Sequence, residues 1–570
     1  MEPLPLQIYL EMPWREHYAP DAPGRIDVPD ISVGAMFDEA AKRVPERPAI
    51  IFYGREITFS ELLDATERLA NAFTALGLKK GDRIALYLLN SPQFVIAYFA
   101  ALKCGAVVTA ISPVFTSHEI RFQIEDSGAR FAVCQDVLYD KLARSGTALD
   151  FVVVTKVGEY LPLLKRFIGN SFIGKLWHSA GLGSASIPKQ ANILWLQDLL
   201  RKYPAKAPQT TILATDLAAL PYTGGTTGNP KGVMLSHGNL VAAKYAASAA
   251  FPQLIPGKEV LLAFLPFFHI YGQVAIMLNG LCQGNVLVLF TTPNTGAILS
   301  ALERHRATVF FGVPTLYEYL KDHKDTEKVD WRRLKLLLSG ADTLHASTVK
   351  AWEERTGTSI VEGYGLTESC AASHLNPSHR PKSGSFGCPI PNVCAAVINP
   401  DNGSFLPPDT QGELVLSGPN VMQGYWKRPE ETAQAFLEAG GRRWLRTGDL
   451  VSMDPEGYFH FFDRAKDLIK HKGYSIFAKE VEDVLYGHPQ VKSAGVIGVS
   501  DAATGQQIKA IVVLHSDARG RTTEDELRRY CEAHLAHYKV PQRIEFRGEL
   551  PKTDVGKVSR RELREEVDSA

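Results

Sequence analysis

The segment Tyr222-Thr-Gly-Gly-Thr-Thr-Gly-Asn-Pro-Lys-Gly232 packs glycines, threonines and a lysine into one turn between two apolar runs. Glycines let backbone N–H groups approach an anion, threonine hydroxyls add donors, and Lys231 adds a fixed charge. The composition is that of a phosphate cradle. The phosphate loop of P-loop nucleotidases ends in Gly-Lys-Ser/Thr, so that a hydroxyl can hold magnesium. Here Lys231 stands between Pro230 and Gly232, which excludes that class.

Four more clusters follow in order: Glu362-Gly-Tyr-Gly-Leu-Thr-Glu-Ser369, Arg446-Thr-Gly-Asp-Leu450, Asp463-Arg-Ala-Lys-Asp467 and Pro551-Lys-Thr-Asp-Val-Gly-Lys557. Together with the first loop they resemble the motifs of the adenylate-forming superfamily: acyl-CoA synthetases, luciferases and the adenylation domains of peptide synthetases. The loop's wording, the run LPFFHIYG at 265–272 and the tail from Pro551 to Leu563 are most similar to bacterial-type long-chain fatty acid:CoA ligases.

The resemblance implies an ATP- and Mg2+-dependent enzyme that converts a medium-to-long-chain fatty acid into acyl-AMP and transfers it to CoA. A carboxylate is a poor electrophile because attack would expel an oxide, and the mixed anhydride with AMP supplies a good leaving group. The implied ATP/AMP contacts are Thr223, Gly224, Gly225, Thr226, Thr227, Gly228 and Lys231 on the phosphates. Gly340, Ala341, Gly363, Tyr364 and Gly365 would lie at the adenine, Asp449 at the ribose hydroxyls, and Arg464 at ribose and α-phosphate. Thr367 and Glu368 are implied in catalysis, Glu368 as the magnesium carboxylate, since a hard cation bridging phosphates takes one or two protein oxygens. Lys557 would be the catalytic cation of adenylation, and His269 would position the carboxylate end of the acyl group. Lys466 occupies the hinge position, Lys470, Gly473 and Tyr474 the CoA face, and Gly312 the acyl pocket. The chain departs from many relatives in having Gly224 in place of serine, and Ala478 where a proline often stands.

These residues need a scaffold. A strand at 49–52, a capping box Thr58-x-x-Glu61 opening a helix that Gly77 closes, strands at 83–87 and 107–110, and an intervening helix predict βαβ units and a parallel sheet. Between Ser383 and Trp426 short strands with Gly/Pro turns predict a β-rich subdomain. From Phe462 onward a separate module is expected, with strands at 494–499 and 509–514 and a helix at 524–536. The fold class is α/β: a large N-terminal AMP-binding domain (1–463) with parallel-sheet and β-rich subdomains, and a small mobile α+β lid (464–570).

The chain has 570 residues, too many for one core. Its 62 basic residues balance 62 acidic ones, which argues against a nucleic-acid partner. The cysteines at 104, 134, 282, 370, 388, 394 and 531 form no C-x-x-C pair and suit a reducing compartment. The acidic, proline-broken start is unlike a signal peptide, so a cytoplasmic enzyme is expected. The stretch 260–302 lacks Asp, Glu, Lys and Arg, but its polar interruptions predict buried strands around a helix from about Tyr271 rather than a membrane span. Residues 160–177 show apolar helical spacing with Lys165, Arg166 and Lys175 between, which suggests peripheral contact with an anionic membrane; packing on the protein body is the alternative. Competing functions are an aryl-CoA ligase, an acyl-AMP ligase that loads a carrier protein, and a catalytically silent acyl- or nucleotide-binding module.

Overall fold

The computed structural model describes residues 5–162, 187–223, 230–292, 294–471, 474–501, 505–516, 518–552 and 558–568, without the side chains of Lys466, Tyr474 and Ser475. Most of the basic amphipathic segment, and the loop residues from Gly224 to Gly228, lie outside them.

The predicted βαβ unit forms. Thr58 caps helix Phe59–Ala75 through a complete capping box, and Gly77 closes it at φ +95°. Strands Arg83–Tyr87 and Val107–Ala110 pair in parallel across helix Pro92–Lys103, which is apolar all round and buried at every position. They belong to a sheet whose parallel part runs Leu217–Ala219, Val107–Ala110, Arg83–Tyr87, Phe131–Gln135, Phe151–Thr155, Ile193–Trp195. Lys231–Ser236 extends it antiparallel.

A second large sheet places Val361–Tyr364, Leu336–Ser339, Val309–Gly312, Val260–Ala263, Val286–Leu289 and Pro48–Phe52 side by side, each parallel to the next. Burial on both faces accounts for the apolar runs of Val260–Ala263, Val286–Leu289, Val309–Gly312 and Leu336–Ser339. The charge-free stretch thus supplies two core strands. Its helix begins at Tyr271 as expected, but residues Tyr271–Leu278 wind as a π-helix, with Gly272 so tightly packed that a Cβ would lie 2.3 Å from the Pro266 carbonyl oxygen.

The β-rich subdomain is an antiparallel sheet of Cys394–Ile398, Gly412–Ser417, Arg442–Met453, Phe436–Ala439 and Phe459–Arg464. It therefore runs further along the chain than the turn-rich stretch suggested. Two short strands inside that stretch, Cys388–Pro389 and Gly424–Tyr425, leave it and cover the open edges of the two large sheets.

The C-terminal part has its own cores. Along strand Gly505–Leu514, Ile508, Ala510, Val512 and Leu514 face one cluster with helices Ala478–Tyr486 and Glu524–His534. Ile511 and Val513 face another with Leu563 of helix Arg560–Asp568. This is period-two burial of a sheet covered on both sides. All seven cysteines are buried and none is disulfide-bonded. No helix among the described residues is long and apolar enough to cross a membrane.

Candidate active site

Strands Val309–Gly312, Leu336–Ser339 and Val361–Tyr364 are neighbours in register, with Gly312 opposite Ser339 and Ser339 opposite Glu362. Their carboxyl ends, and the turn after Val260–Ala263 that carries His269, open on the same edge. Ligands of parallel sheets sit at that edge. A cleft of about 1630 Å³ opens there, reaching Thr223 and Lys231 on one side and Arg464, at the end of strand Phe459–Arg464, with Lys552 and Arg560 of the C-terminal part on the other. Motifs more than a hundred residues apart in the chain are thereby brought to one space.

One wall of the cleft is glycine-dependent. A Cβ on Gly340 would meet the Tyr271 ring at 3.3 Å, and Ala341 beside it holds a left-handed φ of +75°. Such a conformation costs about 1–3 kcal/mol in a non-glycine residue. The glycines around Tyr364 serve close packing: a Cβ on Gly363 would lie 2.8 Å from Leu375, and one on Gly365 would overlap the Ala371 carbonyl. The Tyr364 ring is half-buried and stacks on Phe386 at 4.6 Å, rather than standing clear as its glycine neighbours suggested.

Asp449 sits opposite Arg464 across an antiparallel strand pair and is buried. Its Oδ2 accepts from the Tyr364 hydroxyl at 2.6 Å, and its Oδ1 lies 3.3 Å from Arg464 Nε. Each carboxylate oxygen has a second lone pair, so a diol can still be accepted. The Asp449 charge is the main influence holding the Arg464 guanidinium protonated.

Glu368 and Thr367 lie in a short 3-10 turn on the cleft wall. Glu368 Oε1 accepts from the Tyr425 hydroxyl at 2.9 Å, and burial raises its pKa. Among the described residues no basic side chain reaches Glu368 within ion-pairing distance, and no cluster of three or more metal-ligating residues is found. A buried carboxylate with no direct ion pair among the described residues fits magnesium, which takes few protein ligands and fills its sphere with phosphate and water. Lys231 starts strand Lys231–Ser236, opposite Thr223, with its ammonium 5.1 Å from the Tyr425 ring centre.

His269 lines the cleft, and its Nδ1 accepts from the Tyr271 N–H at 3.2 Å, which leaves Nε2 as the protonated nitrogen of the neutral ring. Gly312 ends strand Val309–Gly312 against packed aromatic rings. A Cβ there would lie 2.7 Å from the Tyr317 ring and 3.2 Å from Phe310, so the missing side chain makes room for these core aromatics. An apolar cavity of about 440 Å³ lies nearby, lined by Phe264, Leu265, Ile298 and Leu316 and sharing Phe268, Thr315 and Tyr319 with the main cleft.

In the C-terminal part, Lys557, Gly473 and the side chains of Lys466 and Tyr474 fall outside the described residues. Lys552 and Val558, which bracket the Lys557 turn, pair as an antiparallel bridge and line the cleft. Lys470, on strand Ile469–His471, is exposed and is not part of the cleft wall. Around residues 463–467, Arg560 bridges Asp463 at 2.7 Å and Glu482 at 2.5 Å, while Arg564 holds Asp467 at 2.8 Å. Across the cleft, His345 pairs with Asp483 at 3.2 Å and stacks on Tyr486 at 4.0 Å.

Tyr425, Arg560 and His345 were not singled out from the sequence. Gly424-Tyr-Trp426 could have drawn notice as two aromatics after a glycine in a turn-rich stretch, whereas Arg560 is one arginine in a charged helix.

The model of the AMP-binding enzyme family matches residues 37–426, and that of the AMP-binding enzyme C-terminal domain matches 480–557. The chain belongs to the AMP-binding enzymes, the adenylate-forming superfamily. It is 37% identical over 563 residues to a long-chain-fatty-acid–CoA ligase of Bacillus subtilis, covering 98% of each chain. It is 32% identical over 526 residues to a feruloyl-CoA synthase of an Amycolatopsis species, covering 92% of this chain and 96% of the other. Among solved structures it is similar to ATP-bound MatB from Rhodopseudomonas palustris, with a TM-score of 0.79 and 28% identity over 94% of this chain and 99% of that one.

Proposed function

We propose that this chain is an AMP-forming acid–thiol ligase that activates medium-to-long-chain fatty acids with ATP and transfers them to CoA. The observation that carries this reading is the meeting of the motifs around Lys231, Ala341, Tyr364, Glu368 and Arg464 in one cleft, in a chain 37% identical to a fatty acid ligase nearly end to end. The apolar cavity that shares Phe268, Thr315 and Tyr319 with that cleft supports an alkyl substrate, with Gly312 on the neighbouring strand end.

In the first half-reaction the fatty carboxylate attacks the α-phosphorus of ATP and pyrophosphate leaves. Thr223, Lys231 and the loop between them hold the β- and γ-phosphates. Tyr364, Gly340 and Ala341 flank the adenine, Asp449 accepts from the ribose hydroxyls, and Arg464 approaches the α-phosphate. Lys557 places its charge where negative charge builds up. His269 orients the attacking carboxylate. Glu368 would hold magnesium, which when bound neutralises phosphate charge. In the second half-reaction the CoA thiol attacks the acyl carbonyl and AMP leaves. We draw the lid boundary between Asp463 and Arg464, with Lys466 as hinge and Lys470, Gly473 and Tyr474 on the face presented to CoA.

Two supports concern setting. The seven buried, unbridged thiols suit a reducing, cytoplasmic compartment, and the basic amphipathic pattern of 160–177 suits contact with an anionic membrane. An aryl-CoA ligase is the second reading, favoured by the 32% identity to a feruloyl-CoA synthase. Pyrophosphate release across a panel of alkyl and aryl carboxylates, with and without CoA, decides between them. Palmitate-sized acids should be preferred and turnover should require CoA. Preference for benzoate-like acids overturns the fatty-acid assignment, and no ATP-dependent release with any acid overturns the ligase.

A further inference from the structure

Asp126 lies in the last turn of helix Ser117–Ser127, before the left-handed Gly128. A carboxylate there opposes the helix dipole, and it makes no contact with the cleft's proposed substrates. Its partners come from elsewhere in the chain. Asp126 Oδ2 accepts from the Tyr222 hydroxyl at 2.7 Å and Oδ1 from Arg428 at 2.7 Å. Its backbone carbonyl accepts from the Trp426 indole at 3.1 Å and from Lys427 at 2.8 Å.

Tyr222 opens the short strand that pairs with Lys231–Ser236, with Thr223 opposite Lys231 and itself opposite Gly232. Residues 424–425 pair with the other edge of that same strand, Tyr425 opposite Val233. Gly232 lies between the two aromatics: a Cβ would meet the Tyr222 ring at 3.2 Å and Trp426 Cβ at 3.3 Å. Tyr425, adjoining Trp426, is the residue that donates to Glu368. One carboxylate thus fastens both the stem of the phosphate loop and the strap that carries the Glu368 contact.

We infer that Asp126 is a positioning residue for the triphosphate: it sets the stem of the 223–231 loop relative to Glu368 without touching ATP. The inference rests on the proposed phosphate-binding role of that loop. Burial and the neighbouring Asp126 charge raise the Tyr222 pKa, so its phenol stays a donor at any working pH. Hydrogen bonds of this charge-assisted kind define geometry as well as energy, and a displaced loop weakens ATP contacts while leaving the acyl and thiol sites in place.

The test uses the full chain with Asp126→Ala, Asp126→Asn, Tyr222→Phe and the double variant Asp126→Ala/Tyr222→Phe. Asp126→Ala should raise KM for ATP by about ten- to hundredfold, the usual cost of losing charge-assisted hydrogen bonds. KM for the fatty acid, and the rate of thioester formation from supplied acyl-AMP, should stay within about twofold, since neither uses the triphosphate. Tyr222→Phe should give a smaller rise of the same kind, and the double variant should stay close to Asp126→Ala alone, because the carboxylate is the hydroxyl's acceptor. Asp126→Asn, which retains an acceptor, should fall between wild type and alanine. An unchanged ATP KM in Tyr222→Phe and Asp126→Asn overturns the inference, as does equal weakening of acid and ATP or additive single effects. If Asp126→Ala does not fold, the two conservative variants carry the same decision. Calorimetric ATP binding to wild type and variants separates the outcomes. Wild-type protein that binds ATP but releases no pyrophosphate removes the proposed activity, whereas active wild type with unweakened variants removes only the anchor.

Discussion

The Tyr364 hydroxyl donates to Asp449 across 2.6 Å, joining two motifs 85 residues apart. The same carboxylate faces Arg464, so the residue assigned to the ribose is held from two sides before any nucleotide arrives. Tyr364→Phe keeps the ring on Phe386 and removes only the donor. A hydrogen bond to a charged group contributes about 1.5–3 kcal/mol, so KM for ATP should rise at least about tenfold while the fatty acid KM holds. A pyrophosphate-release titration in ATP measures this; an unchanged KM would show that Arg464 alone fixes Asp449.

The two half-reactions should separate. Lys557→Ala should slow acyl-AMP formation by at least ~10²–10³, the usual cost of losing one charge-stabilising donor, and leave thioester formation from supplied acyl-AMP. Lys466→Pro should show the reverse, because a stiffened hinge cannot present the second face of the lid. Single-turnover assays of each step measure both, and equal damage to both steps in both variants would reject an alternating lid.

Chain-length selection should respond at Thr315, which lines both the cleft and the apolar cavity. Each buried methylene contributes up to ~0.8 kcal/mol, so eight carbons favour binding by at most about 6 kcal/mol before ordering costs. Thr315→Phe should narrow the entrance and erase the KM advantage of palmitate over octanoate, with ATP KM constant. Equal loss for both acids would place the alkyl chain elsewhere. Gly312→Trp should instead give poorly folded protein, since its side chain would drive into Tyr317 and Phe310.

Wild-type protein should sediment with anionic liposomes, less so as salt rises, because Lys165, Arg166 and Lys175 are each worth about 1 kcal/mol near a charged surface. Undiminished cosedimentation of the triple alanine variant would reject that role for the segment.

His237 should make folding acid-sensitive. Burial lowers its pKa from 6.5 to about 4, and Nδ1 accepts from the Val33 N–H. The unfolded chain therefore takes up the proton first, so the contribution is full above pH 6.5 and is lost as pH falls toward 4. Between pH 7 and 5 it amounts to about 2 kcal/mol. Glu362, pushed up to about 7 by burial, acts in the opposite sense, so the histidine is isolated by difference. His237→Gln should show a smaller drop in urea midpoint from pH 7 to 5 than wild type; an equal drop would mean the imidazole titrates normally.

Periodicity and capping made the scaffold legible: Thr58, Gly77 and the apolar runs at 83–87 and 107–110 act within one or two turns of chain, where local rules hold. That the short strands Cys388–Pro389 and Gly424–Tyr425 join the two large sheets was not legible, because two residues carry no signal of which edge they will cover. Gly312 is ambiguous in sequence for a related reason. A glycine records that space is needed, and only the packed Tyr317 ring shows what takes it. Asp126 and Arg560 left no local trace, since their partners lie 96 and 97 residues away at Tyr222 and Asp463.

The buried cysteines give the molecule an internal clock. Desolvation pushes the Cys104 and Cys531 thiols up to about 11, and Cys282 and Cys394 to about 12, so the folded protein offers alkylating reagents almost no thiolate. Cys531 belongs to the small C-terminal core, and the other six lie in the larger body. Pulse alkylation read by peptide mass would therefore time the opening of each part separately in the unaltered chain, with one native thiol reporting on the C-terminal core and six on the larger body.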